Sequence, residues 1–246
     1  MAEDQSILSR RARAADAVVA YGSGPGQIIE VRRGGGSAGQ RPLVIIIHGG
    51  FWRPDIDRSH ARPMADAIAA AGWTVALPEY ARLTGNPGVT LDDMALILAQ
   101  AGRKIADHDG RIILIGHSAG GHLVLWATAA QICPGLSGTL ALAPAADLLL
   151  AHDLGLGNGA VARFLGCEPQ LRADLDPRRM PGPLTATTLI HGADDAIVPL
   201  QISESYLNAH PDARLVRLDD TGHFALIDPC APAWNSVMAE LARFVA

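Results

Sequence analysis

The sequence predicts an α/β fold, a doubly wound and mostly parallel sheet with helices on both faces. Three observations carry this reading. From about residue 27 onward, short apolar runs alternate with amphipathic stretches. Two of the runs, residues 41–50 (RPLVIIIHGG) and 111–115 (RIILI), are continuous and β-branched, the pattern of strands buried on both faces. Helical stretches fall between such runs, as the crossover connections of parallel strands require.

The elements follow in order. QIIEVRR (27–33) alternates and predicts an edge strand. GGGSAG (34–39) predicts a surface turn or hairpin loop. Residues 41–50 give a central strand ending in glycines. ARPMADAIAAAG (61–72) has a proline near its first turn and a closing glycine, so it predicts a helix with Ala65, Ile68 and Ala69 in the core. WTVALPEY (73–80) predicts a strand. In TLDDMALILAQAGRKIADH (90–108), Thr90 and Asp93 are spaced like a capping box, and Leu91, Met94, Leu98 and Ile105 share a face. A strand at RIILIGH, a helix after Ser118, and strands at 137–144, 185–192 and 213–220 come next. A last helix over about 232–245 places Trp234, Val237, Leu241 and Phe244 on one stripe. Residues 145–184 break the alternation with two helical pieces rich in Gly, Pro and Arg, and predict a small cap inserted in a single domain spanning 1–246.

Composition narrows the function. The chain has 246 residues, 49% of them hydrophobic, enough for one large domain with a sizeable core. Its net charge of −5, with scattered basic residues, argues against a nucleic-acid partner. No apolar run is long enough to span a bilayer, and the first residues lack the order of a signal peptide. Cys133, Cys167 and Cys230 are odd in number and widely spaced, so neither a disulfide framework nor a metal knuckle is expected, and the expected compartment is the cytoplasm.

The chemistry concentrates at GHSAG (116–120). A serine between glycines, after a buried strand and before a helix, is the nucleophile-elbow pattern. Serine is a poor nucleophile alone and needs a base, a group that orients the base, and donors for the oxyanion. His223, in DDTGHFALIDP, is the candidate base. Asp195, in HGADDAIVP, is the candidate orienting acid, with Asp194 as the alternative. Candidate oxyanion donors are the amide of Ala119 and those of Gly50 and Phe51 in HGGFW (48–52). Trp52 and Phe224 are candidate walls of a substrate pocket. His48 and His191 are expected to hold loops, His117 and His122 to pack around the elbow, and His60, His108, His152 and His210 to lie on the surface. No pair of histidines has helical metal-ligand spacing with a carboxylate.

Together HGGFW, GHSAGGHL, HGADDAIVP and GHF resemble the α/β-hydrolase superfamily, over residues 27–246. The branch they most resemble contains small esterases and kynurenine-formamidase-like enzymes with an HGG-aromatic-W motif. The resemblance implies hydrolysis of carboxylic esters or aryl formamides without a cofactor, on a small-molecule substrate. Phe51 stands where HGGG enzymes carry a third glycine, which argues against their substrate range, and PEYAR (78–82) matches the branch only in part. The expected reading is a carboxylesterase-type serine hydrolase. An arylformamidase, an exopeptidase-like amidase and a non-catalytic binding protein on the same fold are the alternatives.

Overall fold

The computed structural model describes residues 3–36 and 38–245. Its centre is an eight-stranded sheet built from β1 (Ala17–Ala20), β2 (Ile28–Arg32), β3 (Leu43–Ile47), β4 (Val75–Pro78), β5 (Ile112–His117), β6 (Leu136–Leu142), β7 (Thr187–Gly192) and β8 (Arg214–Leu218). The spatial order is β1-β2-β4-β3-β5-β6-β7-β8. β2 runs antiparallel to both its neighbours, and every pairing from β4 to β8 is parallel.

Alternation along the strands sends side chains to two cores. Leu43, Ile45 and Ile47 of β3, with Ile112 and Leu114 of β5, join the cluster under α2 (Pro87–Lys104), α3 (Ala119–Ala129) and α6 (Gln201–Ala209). Val44 and Ile46, with Ile113 and Ile115, join the cluster under α1 (Arg62–Ala70) and α7 (Trp234–Arg243). These strand residues are at most 3% exposed, and burying each contributes roughly 1.5–3 kcal/mol. Both faces being covered is why β3 and β5 read as unbroken apolar runs.

Three expectations are corrected. The strand at 27–33 is not an edge. Four residues of β1, Ala17–Ala20, lie outside it, paired from Ala17↔Val31 to Ala20↔Ile28. Of the two readings of the 34–39 segment the hairpin alternative falls, because β2 and β3 are not neighbours in the sheet, while the preferred surface turn agrees with exposed Gly35 and Gly36; Ser37 within it is outside the described residues. The helix expected from Thr90 starts earlier, with Pro87 in its first turn and Asn86 as its N-cap residue. Thr90 and Asp93 do not cap it. The Thr90 hydroxyl donates to Ala81 O at 2.7 Å, and Asp93 accepts from Gln27 Nε2 at 2.7 Å and Ala81 N at 2.8 Å. The helix uses these side chains to fasten neighbouring loops.

Between β6 and β7, residues 145–184 form α4 (Leu148–Asp153), α5 (Leu156–Leu165) and three short 3-10 turns. α4 is capped by Asp147, whose carboxylate accepts from Leu150 N at 2.9 Å. In α5, Gly157, Asn158 and Gly159 are left-handed, so its regular part begins at Ala160. Among the described residues, no helix is long and apolar enough to cross a membrane.

Candidate active site

The strand-to-helix turn between β5 and α3 holds Ser118 at φ 56°, ψ −119°, a conformation that costs a non-glycine residue on the order of 1–3 kcal/mol. Surrounding contacts impose it. Ser118 N donates to Leu142 O at 2.9 Å, and Ser118 O accepts from His122 N and Ala145 N. The flanking glycines are required by contact: a Cβ at Gly116 would lie 2.2 Å from Gly120 O, and one at Gly120 would lie 2.1 Å from Ile47 O. Ser118 Oγ makes no hydrogen bond among the described residues, and it lines a cleft of about 560 Å³.

His223 lines the same cleft. Its Nδ1–H donates to Asp195 Oδ2 at 2.6 Å, which leaves Nε2 as the basic nitrogen. Asp195 is fixed on its other oxygen, where Oδ1 accepts from Ile197 N at 2.9 Å and Val198 N at 2.8 Å. Burial alone would raise this carboxyl, yet hydrogen bonds from His191 and His223 hold it well below the usual carboxylate range. Asp194, the alternative, is exposed and lines a separate surface recess. The structure therefore brings Asp195, and not Asp194, to His223.

Ala119 is the first residue of α3, so its N–H has no partner within the helix. The chain after β3 turns sharply: Arg53 N donates to Gly50 O at 3.0 Å, with Phe51 and Trp52 both at positive φ. No acceptor among the described residues takes the amides of Gly50 or Phe51. Phe51 and Phe224 line the cleft. Trp52 does not. It is 4% exposed, stacks on Phe164 at 4.8 Å and meets His122 edge-on, and it borders a small apolar recess behind Ser118.

The remaining histidines divide largely as expected. His191 lies between Ser203 Oγ and Val198 O, each at 2.7 Å. His117 donates from Nε2 to His223 O at 3.2 Å and packs its ring 4.4 Å from that of His223. His122 donates to Leu175 O. Two differ from the expectation of surface residues: His210 is buried against Pro177 O, and His60 forms part of the cleft wall.

Two features were not expected. First, a cluster of Arg, Glu and His side chains backs the turn after β3, where Arg82 Nε donates to Arg53 O at 2.9 Å. Glu79 meets Arg58 at 3.0 Å, Arg82 at 2.6 Å and His48 at 3.4 Å, and Arg58 continues to Glu30, which also meets Arg32 and Arg62. Burial disfavours the Glu79 charge, but His48 and Arg82 outweigh it and hold its carboxyl well below the usual range. The PEYAR segment thus supplies Glu79 and Arg82 to this cluster, which lines a separate recess from the one holding Ser118. Second, the first described residues close one side of the cleft. Gln5 and Leu8 line it, Ile7 is buried in the core, and Glu3 Oε1 accepts from Phe224 N at 2.9 Å, next to His223. Arg10 fastens the segment to Asp228 at 2.7 Å.

The buried histidines make stability depend on pH. Burial lowers His122 to about 4, and burial together with His48 lowers His60 to about 4. The folded state keeps both neutral while the unfolded chain protonates them below about 6.5, so stability falls as pH falls through that window. Between pH 7.5 and 5.5 these two groups are expected to remove about 3 kcal/mol of unfolding free energy. Urea unfolding at the two pH values checks this, and an unchanged midpoint would count against it.

Among the described residues, no group of three or more His, Cys, Asp or Glu side chains is placed to hold a metal ion. A strained serine beside an Asp–His pair, at the strand ends of an eight-stranded doubly wound sheet, defines an α/β-hydrolase. The chain belongs to the serine hydrolase family, whose model matches residues 89–243. A second family model, BD-FAE, matches residues 33–140. A pimeloyl-[acyl-carrier protein] methyl ester esterase of Aromatoleum aromaticum is 50% identical over 79 residues, 27% of this chain and 30% of that protein. A kynurenine formamidase of Drosophila melanogaster is 28% identical over 109 residues, 42% of this chain and 35% of that protein. The matched stretches thus span about a third of these curated relatives. Esterase B of Lactobacillus rhamnosis superposes with a TM-score of 0.77 at 18% identity, covering 95% of this chain and 87% of that one. A thermophilic esterase of Thermogutta terrifontis gives 0.73 at 17%, covering 93% and 91%. At these identities the structural likeness concerns the fold.

Proposed function

We propose that this serine hydrolase cleaves a small carboxylic ester through an acyl-enzyme on Ser118. The observation that carries the reading is the 2.6 Å contact of buried Asp195 with His223, which lines the same cleft as Ser118. Ser118 Oγ attacks the carbonyl carbon while His223 Nε2 takes its proton. Asp195 keeps the proton on Nδ1 and offsets the charge that develops on the ring. The carbonyl oxygen, now negative, rests on the amides of Ala119 and of Gly50 or Phe51. His223 gives its proton to the departing alcohol. Water, deprotonated by the same imidazole, then attacks the acyl-enzyme and releases the acid. Phe51 and Phe224 flank the leaving group. Residues 145–184 act as a small cap, supported by the reach of Leu156, Ala160 and Val161 to the recess behind Ser118. The free thiols Cys133, Cys167 and Cys230 suit a cytoplasmic protein.

Arylformamidase activity is the second reading, favoured by HGGFW and by the stretch similar to the Drosophila kynurenine formamidase. Comparing kcat/KM for p-nitrophenyl acetate, N-formylkynurenine and an aminoacyl anilide separates the readings. The ester is expected to be turned over fastest. Dominance of N-formylkynurenine would assign the formamidase, and dominance of the anilide an exopeptidase. No turnover of any of them, by folded protein, would point to a binding protein.

A further inference from the structure

We propose that the acyl side of this site admits only one- or two-carbon acyl groups, formyl or acetyl, and that Leu156 and Val161 set the limit. The proposal rests on the reading of Ser118 as nucleophile and His223 as its base.

Two spaces open beside Ser118, and they differ in kind. The larger, about 560 Å³, contains His223, His60 and Phe224 together with the charged side chains of Arg53, Asp55 and Asp57. The smaller shares Phe51 and Ser118 with the larger and is otherwise bordered by Trp52, Leu156, Val161, Val198 and four alanines; it does not touch His223. Reaction geometry assigns a substituent to each. The carbonyl oxygen must face the amides of Ala119 and of Gly50 or Phe51. The departing atom must receive its proton from His223 Nε2, so the leaving group occupies the larger space. The other substituent on the carbonyl carbon, the acyl chain, is left with the smaller.

That recess is narrow: the centre of a water-sized sphere has only about 10 Å³ in which to move. A formyl hydrogen or an acetyl methyl matches it, and a propyl chain does not. Most of these walls have little to give. Ala119, Ala145, Ala151 and Ala160 are already small. Trp52 is held by its stack on Phe164, and Val161 and Val198 are at most 2% exposed. Forcing extra methylenes into such packing displaces side chains and backbone. Leu156 and Val161 are the branched side chains that residues 145–184 bring to this wall, so trimming either lengthens the recess.

The test measures kcat/KM of the full chain on p-nitrophenyl acetate, propionate, butyrate and hexanoate, with the aryl leaving group constant. From acetate to butyrate a fall of about a hundredfold or more is expected. In Leu156→Ala and Val161→Ala the acetate-to-butyrate ratio is expected to drop at least about tenfold. Butyrate turned over within threefold of acetate by the wild-type chain would overturn the size limit while leaving Ser118 as the nucleophile. An unchanged ratio in folded Leu156→Ala would overturn the assignment of the wall, and this variant decides alone if Val161→Ala does not fold. Failure to turn over any of the esters, with no labelling of Ser118 by a fluorophosphonate, would instead overturn the proposed function itself, and the size limit with it.

Discussion

Ser118→Ala is expected to lower kcat on the best ester by on the order of 10⁵–10⁶-fold, with the fold intact. The size of the loss follows from the site's division of labour. Without Oγ there is no atom to carry the acyl group, and what remains is binding and the oxyanion amides. Stability should change by less than about 1 kcal/mol, because Oγ makes no hydrogen bond among the described residues and alanine keeps the same Cβ. Ser118→Gly sharpens the point. It is equally inactive, yet it relieves a residue held at φ 56° and is expected to be the more stable variant by about 1 kcal/mol. Activity assays and urea unfolding on the two variants separate chemistry from folding. Residual turnover within a hundredfold of wild type would remove Ser118 from the mechanism.

Asp195→Asn is expected to cost about 10⁴-fold in kcat. Its Oδ1 can still accept from Ile197 N and Val198 N, so the loop keeps its shape. The new amide donates toward His223 Nδ1 and places the ring proton on Nε2, where it blocks abstraction from Ser118. Asp194→Asn is the control. That side chain is exposed and away from His223, and activity should stay within about twofold of wild type. The reverse pattern would move the orienting role to Asp194.

The strands under the site were legible because β3 and β5 are buried on both faces and their runs are unbroken. β1 was not, since Ala17–Ala20 is four residues long with two of them exposed, too short to carry a period. Without β1 in view, β2 looked like an edge. The start of α2 was misplaced because Thr90 and Asp93 are typical cap residues whose side chains here serve other segments. The pairing of Asp195 with His223 follows the motifs at the strand ends, and it was visible from spacing. The Glu79, Arg58 and Arg82 cluster and the Glu3–Leu8 segment were not. Arg58 and Glu79 are 21 residues apart and Glu3 and Phe224 are 221 apart, and no local periodicity marks them. His60 looked like a surface residue because its place in the cleft wall, edge-on to His48, depends on the tertiary fold and leaves no mark in the local sequence.

The most direct measurement is intact-mass and peptide-level analysis after treatment with a fluorophosphonate. One adduct per chain is predicted, on the peptide containing Ser118, absent from Ser118→Ala and strongly slowed in Asp195→Asn. A folded chain that takes no adduct, or takes it on another residue, would contradict the account.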